Sequence, residues 1–307
     1  MGNKRLIPAL ILFSAHMALA GTLVLKRGWV DTFKDRSTID ATFTVDHAHK
    51  TPNAPAKDAD MHVARRAPKD VGLPMVAEMV NAFFATSGNE KNAITLIHQK
   101  EVSGDSVTIS GAWRLWFEHP ANSQKQFANV PKAQNTNPDH SFEIHPITKF
   151  AGQNIETSFR FIKDFQGKDP GAAFGAYEKL SISVRTDPKR TSITLDSKKI
   201  GFNYVHFRMR LLGNPFELAD HGFAVLADVE DDGKGGDEVL ASKVRMIFVP
   251  ETEAWKRIQK SGEGDELDAL GIPRVNLNAI AAFVDKAPAG TAVSRKLPYE
   301  MIIVAVK

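Results

Sequence analysis

Two short segments put imidazole and carboxylate groups at alternate positions: Asp60 and His62 in one, Glu143 and His145 in the other. Along an extended strand alternate side chains share a face, so each pair points together. Two such strands in one sheet would bring two imidazoles and two carboxylates to one place. That donor set suits a divalent zinc, iron or manganese ion with positions left open for water or substrate. Glu78 and His119 are further candidates for the same set. The residues also have a structural reading, as carboxylates bonding loop amides and histidines filling barrel ends, and there is no His-Glu-x-x-His motif to favour the metal.

Two other constellations offer chemistry. Asp228, Glu230 and Asp232, followed by Gly233 and then Asp237, reproduce the start of a calcium loop, in which oxygens at every second position converge on a hard cation. Position twelve counted from Asp228 is Val239 and the nearest acid is Glu238, so the closing bidentate ligand is displaced; an acidic hairpin loop is the plainer reading. In the segment 107–118, Arg114 and Trp116 share the face opposite the apolar residues, where they would stack a sugar or base unless a neighbouring loop or domain covers them. Nucleophilic catalysis has little support. The chain has no cysteine, no Gly-x-Ser-x-Gly elbow and no phosphate-binding glycine pattern.

The elements that would position these residues are mostly strands. Residues 38–45 alternate, with Ile39, Ala41, Phe43 and Val45 on one face, and 61–66 and 73–80 are short strands. Helical spacing at Ala93, Ile94 and Ile97 predicts a helix over 89–100; the strands 107–118 and 140–150 follow. Three strands, a helix and two strands is the order of an OB-fold, a five-stranded Greek-key barrel. Residues 151–178, with a short helix expected near 156–165 and a Gly/Ala-rich stretch at 166–176, form a connector. From 179 to 307, six strands with helices at 253–260 and 277–286 predict a β-rich sandwich or partial barrel. No repeat of fixed period is evident. The fold expected is therefore mainly β: an OB-like barrel over 28–150, then a β-rich second domain over 179–307.

The segments Asp58-Ala-Asp60-Met-His62, Leu73-Pro-Met-Val-Ala-Glu78, Gly111-Ala-Trp113-Arg-Leu-Trp116 and Phe142-Glu143-Ile-His145-Pro146 resemble a group of uncharacterised exported bacterial proteins. That group carries Asp-Gly-Asp-x-His and Glu-x-His-Pro elements around an OB-like barrel. Ala59 stands where the group has glycine. The resemblance covers residues 28–150 and implies a fold without an established activity.

Compartment and charge narrow the function. Residues 1–20 begin with Lys4 and Arg5, continue through an apolar run from Leu6 and end Ala18-Leu-Ala20, the order of a secretory signal with its cleavage site. The alternative is an uncleaved anchor, since apolar residues resume at Leu23 to Leu25; no further span follows. Either arrangement puts the protein outside the cytoplasm, periplasmic or extracellular. The formal charge of +3 falls to about +1 without the signal, and no dense basic block exists, so nucleic acid is not the expected partner. The leading expectation is an exported, non-catalytic binding protein for a small ligand, glycan or envelope protein. The alternative is a metal-dependent hydrolase built on His62 and His145 with Asp60 or Glu143. A third reading is a structural envelope protein.

Overall fold

The computed structural model describes residues 21–231 and 238–307; the export signal expected over 1–20, together with Asp232 and Asp237 of the expected calcium loop, lies outside them. The first half comprises β1 (Gly21–Lys26), α1 (Arg27–Phe33), β2 (Thr38–Ala48), β3 (Met61–Arg66), β4 (Pro74–Met79) and α2 (Gly88–Ser103). It continues with β5 (Ser106–His119), β6 (Ser123–Lys125), β7 (His140–Phe150) and the two-residue β8 (Gln153–Asn154). Strand β2 pairs antiparallel with β3 and with β5, β3 with β4, and β5 with β7, while β4 and β7 pair in parallel and close the ring. This is the five-stranded OB barrel with α2 between the third and fourth strands. Alternation drives it: Ile39, Ala41, Phe43 and Val45 of β2 and Ile109, Trp113, Leu115 and Phe117 of β5 are all buried. Helix α2 plugs one end with Ala93, Ile94 and Ile97, and ends at Gly104, whose φ of 70° serves as a left-handed cap.

The second half goes further than a partial barrel. After α3 (Pro170–Lys179), β9 (Ser181–Thr186) and β10 (Ser192–Ser197) come β11 (Val205–Leu211), the short β12 (Phe216–Glu217), β13 (Phe223–Glu230), β14 (Val239–Phe248), α4 (Glu253–Ile258) and β15 (Glu266–Val275). The chain ends with α5 (Leu277–Lys286), β16 (Val293–Lys296) and β17 (Tyr299–Val306). Strand β11 pairs on both edges, with β13 and with β15; β13 pairs with β14, β15 with β17, and β14 runs parallel to β17. Strand for strand this repeats the first barrel, with α4 in the position of α2.

A third sheet, in the order β16-β9-β10-β1-β6, joins the chain's beginning to its later part. Residues 181–197, expected to open the second domain, therefore lie outside the second barrel. Leu23 and Leu25 of β1 are buried in the core, and α1 buries Trp29 and Val30. The helix expected near 156–165 is only a 3-10 turn (Glu156–Ser158). The Gly/Ala-rich stretch instead forms α3, started by Pro170 and by Asp169, whose carboxylate accepts from the Ala172 amide. Helix α5 runs as expected from its Asn276 cap. Among the described residues no helix is long and apolar enough to cross a membrane.

The outer faces of β5 and β15 join the barrels through two arginines in equivalent places. Arg114 lies opposite Glu143 and Arg274 opposite Glu300, each across the fourth and fifth strands of its own barrel, and each arginine follows a strand glycine by three residues. Arg114 Nη1 donates to Glu143 at 2.5 Å and Arg274 Nε to Glu300 at 2.6 Å. Each also reaches across: Arg114 Nε donates to the Pro273 carbonyl (2.9 Å), and Arg274 Nη1 to the Trp113 carbonyl (3.1 Å). The contacts are reciprocal, as about a local two-fold axis. Removing one partner of a buried ion pair strands the other, so Glu300→Ala, which leaves Arg274 without an acid, is expected to destabilise the chain by about 3–5 kcal/mol in urea denaturation. Arg208→Ala, whose partner Asp268 is exposed, should change stability by less than about 1 kcal/mol.

Candidate functional site

Asp60 stands just before β3, and its backbone amide donates to Asp58 Oδ1. The preceding Ala59 has φ 60°, the left-handed region that favours glycine. His62 on β3 is in register with Glu78 on β4, and His145 on β7 follows two residues after Glu143. Asp60, Glu78 and His145 are buried and offer ligand atoms that all lie within 4.8 Å of one another. His62 Nε2 is 3.3 Å from Glu78 Oε2 at the edge of this group. Three of the four residues expected to converge therefore do so, joined by Glu78.

Glu143 has another task. Its carboxylate accepts from Arg114, from His140 Nε2 at 3.1 Å and from His145 Nδ1 at 3.3 Å, so both of its oxygens already have partners. Burial pushes its pKa up, yet the Arg114 guanidinium and the two histidine bonds outweigh burial and hold the carboxyl well below the usual range. Glu143 is thus the anchor of His145 rather than a ligand. Tyr204, just ahead of β11, completes the network: its hydroxyl accepts from His145 Nε2 (2.7 Å) and donates to Asp60 Oδ2 (2.5 Å). No sequence pattern marks Tyr204, because it reaches the site from another element 144 residues from Asp60.

The electrostatics are those of a site short of positive charge. Burial raises the carboxyls of Asp60 and of Glu78 to about 7. Burial opposes the His145 imidazolium, but Glu78, Asp60 and Glu143 together raise its pKa to about 10. Asp60 Oδ1, Glu78 Oε2 and His62 Nδ1 are buried without a hydrogen-bond partner. Unpaired buried polar atoms are uncommon in folded proteins, and three in one cluster mark a place where a cation or water belongs. A cleft of about 260 Å³ leads to it, lined by His62, Glu78 and His119 with Lys57, Lys168 and Tyr204.

The second barrel is an internal control. With Arg114/Glu143 superposed on Arg274/Glu300, His145 corresponds to Ile302 and Glu78 to Ile247. His62 then corresponds to Ala224 and Asp60 to Gly222. Ala224, Ile247 and Ile302 are fully buried. The same fold thus closes this wall with apolar side chains, so barrel formation does not demand the polar cluster.

The remaining candidates are corrected. Trp116 is 2% exposed and packs edge-on against Tyr177 of α3, at 5.4 Å between ring centroids; Arg114 is wholly buried in its ion pair. Neither offers a face to a sugar or base, because α3 and the second barrel cover them. Asp228 and Glu230 of the calcium loop are spent on Arg210, at 3.0 and 2.9 Å, with Asp228 also bound by Ser242. His119 stacks on His140 at the cleft, away from the ligand cluster.

No protein-family model matches the chain, and comparison with curated proteins gives no match. Among solved structures it is similar to the wild-type single-stranded DNA binding protein from Thermus aquaticus, at 7% identity and TM-score 0.21 over 89% of this chain and 92% of that one. A deletion mutant of the same protein matches at 6% identity and TM-score 0.20, over 89% and 93%. Likeness at this level carries no argument about function.

Both site carboxyls have folded pKa values raised above their ordinary 3.8 and 4.5, so their contribution to stability is full below those values and is lost as pH rises toward 7. Metal-free protein is therefore expected to lose about 1 kcal/mol per pH unit for each carboxyl across that window. Chemical denaturation of wild type and of Asp60→Asn/Glu78→Gln checks this: the double variant should show a distinctly flatter profile.

Proposed function

We propose that this is an exported binding protein whose first barrel holds a divalent transition metal on Asp60, Glu78 and His145, with His62 beside them. The observation that supports the reading best is the convergence of these buried ligand atoms, with Asp60 and Glu78 each retaining an oxygen that no hydrogen bond reaches. Two carboxylates and an imidazole suit zinc, iron or manganese better than calcium, which prefers an all-oxygen shell. Ligands about 2 Å from a tetrahedral ion lie roughly 3.3 Å apart, so binding would draw the triad inward, displace the protons of both carboxyls and the one on His145 Nε2, and take that nitrogen from Tyr204. Glu143 would then act through His145, as the carboxylate that orients a ligating imidazole and raises its basicity.

A binding role is favoured over hydrolysis because the cluster is almost wholly buried and the cleft above it suits a small ligand rather than a polymer. The low net charge gives no reason to expect nucleic acid as the partner. Export rests on residues 1–20, whose order is that of a secretory signal ending at Ala20.

Elemental analysis of protein purified without chelator is the test. One equivalent of zinc, iron or manganese is expected, with at least about tenfold weaker retention in the isosteric Asp60→Asn/Glu78→Gln variant. Absence of metal after loading with each of the three ions would overturn the reading. Chelator-sensitive turnover of simple phosphate or carboxylate esters would instead favour the hydrolase. Amino-terminal sequencing of the exported protein is expected to begin at Gly21.

A further inference from the structure

Arg65 sits on the inward face of β3, with Met61 and Val63, and is 1% exposed. Its Nε, Nη1 and Nη2 are all buried without a hydrogen-bond partner. Burial alone governs its ionisation, pushing it well below the usual range, and no acid among the described residues forms an ion pair with it. The neighbouring Arg66 shows the ordinary solution, pairing with Asp46 at 2.8 Å. Arg65 has only the ring of Phe43, 3.9 Å beneath its guanidinium. An aromatic face offsets a small part of what burying an uncompensated cation costs.

The place of Arg65 in the barrel is informative. It is in register with Met75 near the start of β4, whereas α2 plugs the end that follows Met79, so the guanidinium lies toward the open mouth. A cavity of about 670 Å³ occupies that mouth, covered by the stretch 126–139, which has no helix or strand. Gln124, 4% exposed, also lines it, and neither its amide nitrogen nor its oxygen has a partner. The exposed Lys125 and Lys132 stand on the lining, where the one acid is Asp139; Met75 and Val130 add apolar wall. Barrel mouths are a preferred place for small ligands, and cavities of ~300–1,000 Å³ suit them.

We propose that the mouth of the first barrel is a binding site for a small organic anion, separate from the metal cluster on the barrel's outer wall. A carboxylate or phosphate takes two parallel hydrogen bonds from Arg65, the geometry that a planar guanidinium is built for. The Gln124 amide donates to a further oxygen, the two lysines attract the charge, and the apolar body of the ligand lies on Met75 and Val130. Entry requires the stretch 126–139 to shift, since the guanidinium is closed off from solvent.

Thermal denaturation and calorimetric titration of the full chain, at constant ionic strength, test this with three probes: phenyl phosphate, benzoate and neutral phenol. Phenyl phosphate, benzoate or both are expected to raise the midpoint and bind, the stronger identifying the headgroup; phenol should do neither. Arg65→Met is expected to melt higher than wild type without ligand, having lost a buried unpaired charge, and to bind the preferred anion about tenfold or more weakly. Should that variant fail to fold, Gln124→Leu keeps the guanidinium and is expected to bind several-fold more weakly. The proposal is overturned if neither anion shifts or binds wild type, if phenol acts as well as the anions, or if folded Arg65→Met binds the anions undiminished.

Discussion

The reciprocal contact of Arg114 and Arg274 is the interaction on which the architecture depends. Each guanidinium is wholly buried, satisfied by a glutamate of its own barrel and by a strand carbonyl of the other. Neither arginine can be buried in one barrel alone, because the carbonyl that completes it belongs to the neighbour. Docking and ionic satisfaction are therefore one event. An apolar layer from both outer walls, with Val80 and Ala112 from the first barrel and Leu270, Ile272 and Val304 from the second, excludes water from the junction. A low local dielectric strengthens satisfied pairs and penalises unsatisfied ones.

The proposed metal site inherits its geometry from this junction. Arg114 sets Glu143, Glu143 holds one side of the His145 ring, and Tyr204, leading into the second barrel, holds the other and reaches Asp60. The site is thus a property of the two-barrel unit even though its proposed ligands all come from one barrel. Two barrels with the same strand pairings and different walls separate what the fold requires from what is added. The fold requires the arginine–glutamate pair, present in both. The buried aspartate, glutamate and His145, with the half-buried His62, give way to Gly222, Ile247, Ile302 and Ala224 in the second barrel and are additions.

Much of this was legible in the residues themselves. Strict alternation marked β2 and β5, i to i+4 spacing marked α2, and the Asn276 cap marked α5 to the residue. The first barrel followed because its elements come in the order that one connectivity uses. The Asp60/His62 and Glu143/His145 pairs were visible because alternate positions on a strand must share a face. The duplication was not, since the strands recur at irregular spacing and the barrels differ in loops and in β12; its trace is a Gly-x-x-Arg followed by an aromatic-Glu pair, clear once Arg114 and Arg274 are seen in the same register.

By itself, then, the sequence determined the local elements, the absence of disulfides and the residue types available for chemistry, because these follow from backbone periodicity and composition. Tertiary structure decided how each polar group is used. Glu143 became the partner of an arginine instead of a ligand, Trp116 was sealed under α3, Asp228 and Glu230 were taken by Arg210, and Arg65 was left alone in a barrel mouth. A carboxylate or guanidinium carries the same charge wherever it stands. Its burial and its neighbours, often more than a hundred residues away, set whether that charge is satisfied, displaced or waiting for a ligand.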